Sequence, residues 1–182
     1  PAAHTANVVT FWPASEEANT QRRSSTATRS HFRQLLNSSH PLSKCPGCVD
    51  EWLSVATLDA LTPGTRYAYN IGNEFTAEFV AGRHRENFTF AVFGDMGTHV
   101  PDGEPSPNLK LLSGDVASDR IQGVLHVGDF AYDMADNGGQ TAATFFRQIQ
   151  PVASRIPYMV CPGNHEGGTT FAGNFHQRQR IL

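Results

Sequence analysis

Residues 123–132 read Gly-Val-Leu-His-Val-Gly-Asp-Phe-Ala-Tyr. Gly123 to Val127 is a short apolar strand that breaks at Gly128-Asp129, where glycine permits a sharp turn. Two other stretches share this form. Asn87 to Phe93 (Asn-Phe-Thr-Phe-Ala-Val-Phe) runs into Gly94-Asp95-Met96-Gly97. Ile156 to Val160 runs past Cys161-Pro162 into Gly163-Asn164-His165-Glu166. Between these strands, Leu109–Ile121 and Thr141–Ala153 read as helices, the second carrying Phe145, Phe146, Ile149 and Val152. Strand–helix–strand–helix–strand predicts a largely parallel sheet with right-handed crossovers. Ligands of such sheets gather at the carboxyl ends of the strands. That is where this sequence places its unusual residues.

Each strand end delivers an oxygen donor from a glycine turn: Asp95, Asp129 and Asn164. Hard cations require several carboxylate or carbonyl oxygens converging from different segments. Tyr132, three residues after Asp129, adds a phenolate for a sufficiently acidic metal. His165, next to Asn164, is placed to give or take a proton. A single Gly-Asp pair reads as a structural turn, and Gly114-Asp115 is such a decoy, inside a predicted helix with no strand before it. Three such ends in order, each behind a strand, point to a cation site.

The first part of the chain reads as strands and turns. Ala6–Trp12, Glu51–Leu58 and Phe75–Val80 are β-prone, and Tyr67, Tyr69 and Ile71 alternate with polar neighbours at a period of two. Leu61-Thr62-Pro63-Gly64-Thr65 is a Pro-Gly turn. Residues 13–50, rich in Ser, Thr, Asn and Arg, are expected to hold loops or an insertion. The stretch Leu61 to Tyr67, Leu-x-Pro-Gly-Thr-x-Tyr, resembles the fibronectin type III pattern, in which the Tyr occupies a corner of a β-sandwich.

Together, Asp95-x-Gly97, Gly128-Asp129-x-x-Tyr132 and Gly163-Asn164-His165-Glu166 resemble the opening of the metallophosphoesterase signature in its purple acid phosphatase form. Gln148-Ile149-Gln150-Pro151 and Ile156 through Pro162 are also similar to that family, especially its longer, animal-like branch. Tyr132 discriminates: protein Ser/Thr phosphatases of the wider superfamily carry Asp-x-His and Gly-Asp-x-x-Asp-Arg instead. The resemblance implies a fibronectin type III-like β-sandwich over 1–86, followed by the first half of an α/β metallophosphoesterase domain over 87–182. It implies Asp95, Asp129 and Tyr132 as ligands of Fe(III), with Asp129 bridging to a second divalent metal (Fe, Zn or Mn) that Asn164 also binds. His165 resembles the residue that contacts phosphate and assists proton transfer. The implied activity is acid hydrolysis of phosphate monoesters at a binuclear centre. A phosphodiesterase or nucleotide pyrophosphatase on the same scaffold, and a non-catalytic interaction fragment, are the competing readings.

The family signature continues with Val-x-x-His and Gly-His-x-His, which supply three further ligands. Neither motif occurs in these 182 residues. The expectation is therefore an N-terminal fragment, inactive alone. His176, in Gly173-Asn174-Phe175-His176, reads as a surface or pocket-rim residue.

Composition narrows the function classes. Residues 1–87 carry eight basic and eight acidic side chains, and 88–182 carry six and nine, so the formal charge of −3 lies in the second part. No basic footprint for nucleic acid results, and no apolar run approaches the roughly 18 residues of a membrane helix. Pro1-Ala2-Ala3-His4 lacks the basic and apolar regions of a signal peptide. The resemblance nevertheless implies a secreted, vacuolar or lysosomal protein whose leader precedes this chain. Asn37-Ser38-Ser39 and Asn87-Phe88-Thr89 fit the glycosylation acceptor at Asn37 and Asn87. Cys45-Pro46-Gly47-Cys48 lacks the second pair of a zinc ribbon and the βαβ context of a redox site, leaving a local disulfide or a partner elsewhere. Cys161 is expected to be a buried thiol, and His126 a hydrogen-bonded core residue rather than a ligand. His99 reads as a loop residue, and Asp133 and Asp136 as solvated. Glu166 reads either as orienting a neighbour or as a helix N-terminal carboxylate.

Overall fold

The computed structural model describes residues 8–15, 21–31, 52–82, 87–98 and 107–166. The sequence candidates Asn37, Cys45, Cys48, His99 and His176 lie outside them. Two compact units divide the chain: the described residues of Pro1–Ser30 and Ser54–Asn87 form one, and those of His31–Leu53 and Phe88–Arg180 form the other.

The first unit is built on an antiparallel sheet of order β2-β1-β5-β6, from β1 (Val8–Pro13), β2 (Arg23–Thr26), β5 (Arg66–Ile71) and β6 (Phe75–Val80). β3 (Thr28–His31) and β4 (Trp52–Val55) pair separately as two strands. The expected strands at 6–12 and 51–58 are thus found at Val8–Pro13 and, shortened, at Trp52–Val55. Within 13–50, expected to hold loops or an insertion, the described residues include the strands β2 and β3. Polar Arg23–Thr26 forms a strand because it pairs with β1, Val8 opposite Thr26 and Phe11 opposite Arg23. Alternation in β1 and β5 turns Phe11 and Tyr67 into a small core with Ala81, against which Leu58, Leu61, Tyr69 and Phe79 pack. Tyr67 stacks on its cross-strand partner Phe79 at 5.8 Å between ring centroids. Its hydroxyl accepts the Thr62 N–H at 3.0 Å, closing the Pro-Gly turn onto the strand.

The second unit holds β7 (Phe90–Phe93), α1 (Pro107–Ala117), β8 (Gly123–Val127), α2 (Gln140–Ala153) and β9 (Tyr158–Cys161). The three strands form one parallel sheet with β8 central. The expected alternation of strand and helix is present, with β7 and β9 starting two or three residues later than read and α1 ending at Ala117 rather than Ile121. Gly114-Asp115 lies within α1, as expected of a decoy.

Period two divides the sheet cleanly. One face carries Ala91, Phe93, Val124, His126, Tyr158 and Val160 and packs on α1 and α2 through Leu109, Leu112, Ala142, Phe145, Ile149 and Val152. The 3- and 4-residue spacing of the α2 residues makes one apolar stripe. Each fully buried Phe or Val there contributes about 1.5–3 kcal/mol. The other face carries Phe90, Val92, Val127 and Met159, all exposed. Cys161, in register with Val127 on that face, is exposed too. The expectation of a buried Cys161 thiol is corrected by this alternation. Among the described residues, no helix is long and apolar enough to cross a membrane.

Candidate metal centre

The carboxyl ends of β7, β8 and β9 converge through main-chain contacts. The Asp95 N–H donates to the Gly128 carbonyl at 3.1 Å, and the Met96 N–H to the Asp129 carbonyl at 3.2 Å. The β8 and β9 ends approach more closely still. A Cβ on Gly128 would stand 2.5 Å from the Cα of Gly163, and one on Gly163 would collide with the Asp129 carboxylate. Gly128 also has φ +94°. Glycine is required there by space and by conformation.

Asp95, Asp129 and Tyr132 are all left-handed, with φ of 56°, 53° and 42°. Non-glycine residues in this region are sparsely populated and strained by about 1–3 kcal/mol each, and such strain clusters at functional sites. The strain aims their side chains. The Tyr132 hydroxyl donates to Asp95 Oδ1 at 2.5 Å. That hydrogen bond, with the neighbouring carboxylates, pushes the Tyr132 phenol up to about 12. A phenol so placed keeps its proton at neutral pH. Asp129 Oδ1 accepts the His165 N–H at 3.0 Å. Asn164, between Gly163 and His165, is exposed.

His165 is set between two groups. Its ring meets Tyr132 edge-on, with centroids 4.6 Å apart. Its Nδ1 lies 3.0 Å from Asp133 Oδ1. An ionised carboxylate only accepts, so Nδ1 carries the hydrogen. The hydrogen bond to Asp133 raises the His165 pKa above its ordinary value. Asp133 keeps about half of its side chain exposed, as read, but also has a partner; that pairing depends on a residue 32 positions away, which no local pattern announces. Asp136 is exposed, as read.

Two buried polar residues lie behind these loops. His126 is fully buried, with Nδ1 2.9 Å from the Tyr158 hydroxyl. Burial lowers its pKa to about 4, outweighing the opposing pull of Asp95 and Asp129. The reading of His126 as a hydrogen-bonded core residue holds. Glu166 is 1% exposed and accepts the N–H groups of Asp129 (2.7 Å), Phe130 (3.0 Å) and Gly163 (2.9 Å). These bonds fit the orienting reading; the helix reading depends on residues after Glu166, which lie outside the described ones.

The structure therefore joins Asp95 to Tyr132 by side chains, Asp129 to His165 through the backbone, and Tyr132 to His165 by ring contact. Among the described residues, no three His, Cys, Asp or Glu side chains form a group arranged to hold an ion. The four expected ligands contain just two carboxylates, with Tyr132 and Asn164 making up the set. All four are hard oxygen donors on adjoining loops, and that chemistry fits a hard, acidic cation.

A family model for calcineurin-like phosphoesterases matches residues 88–181. Acid phosphatase type 7 of Mus musculus is 38% identical over 122 residues, covering 64% of this chain and 27% of that protein. The Homo sapiens acid phosphatase type 7 is 36% identical over the same shares. Probable inactive purple acid phosphatase 9 of Arabidopsis thaliana is 33% identical, over 63% of this chain and 20% of its own length. The chain thus spans about a quarter of the curated relatives it matches. A purple acid phosphatase from yellow lupin (Lupinus luteus) seeds shares the fold, with a TM-score of 0.58 and 24% identity over 92% of this chain and 33% of the lupin chain. The chain belongs to the calcineurin-like phosphoesterase family, and its homologues are acid phosphatase type 7 and the purple acid phosphatases.

Proposed function

We propose that this chain carries part of the active site of an acid phosphatase that hydrolyses phosphate monoesters at a binuclear centre. The carrying observation is the Tyr132 hydroxyl against the Asp95 carboxylate, on strand-end loops shared with Asp129 and His165. Asp95, Asp129 and Tyr132 would hold Fe(III). Asp129 and Asn164 would hold the second divalent ion, Fe, Zn or Mn. Such a pair of ions supplies Lewis acidity and a bound water of lowered pKa. His165 holds a proton at Nε2 for the leaving oxygen or the phosphoryl charge, while Asp133 fixes the ring and keeps it protonated. The raised His165 pKa suits work at acidic pH.

In this reading the 182 residues alone turn over no substrate, because they contain neither Val-x-x-His nor Gly-His-x-His. Residues 1–86 would be a fibronectin type III-like sandwich, ahead of the metallophosphoesterase domain from 87. The Tyr67 hydroxyl bond to Thr62 supports that assignment. The protein is secreted, vacuolar or lysosomal; exposure of Asn87 is compatible with a glycan there. A second reading, a non-catalytic protein on the same scaffold, is favoured by relatives described as probable inactive purple acid phosphatases.

The test is hydrolysis of a chromogenic monoester by the full-length protein, with a diester as comparison, and its visible spectrum with and without Tyr132→Phe. Monoester turnover and a visible band lost in the variant are expected. Preferred diester cleavage would move the activity to phosphodiesterases. A band unchanged in Tyr132→Phe would remove the phenolate, and no turnover by the metal-loaded protein would favour the non-catalytic reading.

A further inference from the structure

We propose that Glu166 is a positioning residue whose buried carboxylate clasps the loops after β8 and β9 and thereby sets the places of Asp129 and Asn164. The proposal rests on the metal-centre reading above in assigning those two residues as ligands.

A carboxylate is costly to bury unless hydrogen bonds replace its water. At 1% exposure, Glu166 receives three of them, all from main-chain N–H groups. Oε2 takes Asp129 and Gly163, one from each loop, and Oε1 takes Phe130. The same oxygen therefore bridges the β8 and β9 ends. The contact is reciprocal, because Asp129 Oδ1 takes the His165 N–H of the opposite loop. Bonds to an ionised acceptor are roughly twice as strong as neutral ones. They hold Asp129 in its strained left-handed conformation, at a point where Gly128 and Gly163 leave no room for adjustment.

The geometry also explains why glutamate is needed. Glutamine has one carbonyl oxygen and one NH2 group, so either side of the clasp would set a donor against N–H donors. Aspartate is shorter by one methylene. Glu166 touches neither of the reacting groups assigned above; its effect passes through the backbone of the residues that do.

The test compares the full-length protein with Glu166→Gln and Glu166→Asp. Hydrogen exchange is read by mass spectrometry in peptides spanning 128–131 and 162–166, with the α2 peptide 142–152 as control. Zn2+ binding is read by calorimetry, and melting temperature monitors the fold. Exchange in the two loop peptides is expected to speed up tenfold or more in Glu166→Gln while α2 is unchanged. Zn2+ affinity is expected to fall 10–100-fold, the range for residues that orient ligands, with Glu166→Asp also weakened. Loop protection retained in Glu166→Gln would overturn the proposal, as would wild-type Zn2+ affinity in a variant whose loops exchange freely. A wild-type protein that takes up no Zn2+ would instead reject the metal centre, and the exchange comparison would still decide whether Glu166 clasps the loops.

Discussion

Gly64, in the first unit, and Gly128, in the second, both turn the chain with positive φ, at +78° and +94°. Around Gly64, a Cβ would meet nothing within 4 Å; around Gly128, it would meet the backbone of Gly163 at 2.5 Å. The first turn is bound back within its own sheet, through Gly64 N–H to the Ala81 carbonyl at the end of β6 and Thr62 N–H to the Tyr67 hydroxyl of β5. The second is bound by segments far apart in sequence. The difference separates a turn that closes a sheet from a turn that brings three strand ends to one place. Glycine serves conformation in the first and both conformation and space in the second.

Substitution separates them most sharply. Gly128→Ala adds left-handed strain to a backbone collision and is expected to lower stability by roughly 3 kcal/mol or more. Gly64→Ala adds strain alone, about 1 kcal/mol. Urea unfolding of both variants checks this; equal losses would erase the distinction.

Acid acts on the second unit through His126. Its pKa is about 4 in the fold and near 6.5 when unfolded. The unfolded chain therefore binds the extra proton as pH falls below 6.5, and stability declines until the folded form also protonates near pH 4. The loss approaches about 3 kcal/mol. His126→Phe, set among Phe93, Phe130 and Phe145, is expected to flatten this part of the melting curve between pH 6.5 and 4. An unchanged acid slope would point to other groups.

The turn at Gly64 offers a smaller effect. Tyr67→Phe leaves the Thr62 N–H without its acceptor and is expected to cost about 1–2 kcal/mol, read by thermal unfolding. The smallest effect is local to the site. Asp133→Asn is expected to lower the His165 pKa toward its ordinary value, followed by NMR titration of the ring. Because the folded pKa is raised, the pair's contribution is present below pH 6.5 and is lost as pH rises through the folded pKa. An unshifted titration would show that Asp133 does not hold the charge.

The parallel sheet and the three loops were legible because their signals are local: apolar runs that end at Gly-Asp or Gly-Asn. Asp95, Asp129, Tyr132, Asn164 and His165 were singled out in the same way, and the structure links Asp95 to Tyr132, Tyr132 to His165 and His165 to Asp129. β2 and β3 were not legible. Arg23–Thr26 carries no apolar alternation of its own and becomes a strand by pairing with β1. The partner of Asp133 and the β8 side of the Glu166 clasp were hidden for a related reason, since those partners lie 32 to 37 positions away. Cys161 was misread because an apolar strand does not reveal whether both of its faces are covered.

The left-handed backbone at Asp95 and Asp129 narrows what either position can become. Asp, Asn and Gly enter that conformation with the least strain, whereas a hard cation asks for an oxygen donor. Asp and Asn alone meet both demands, and Asn meets them without the charge. A change to Glu keeps the carboxylate and burdens the fold; a change to Asn keeps the fold and weakens the site. Under the proposed function, mutation tolerated at these loops would therefore silence chemistry before it disturbs architecture, and an intact scaffold would say little about the site it carries.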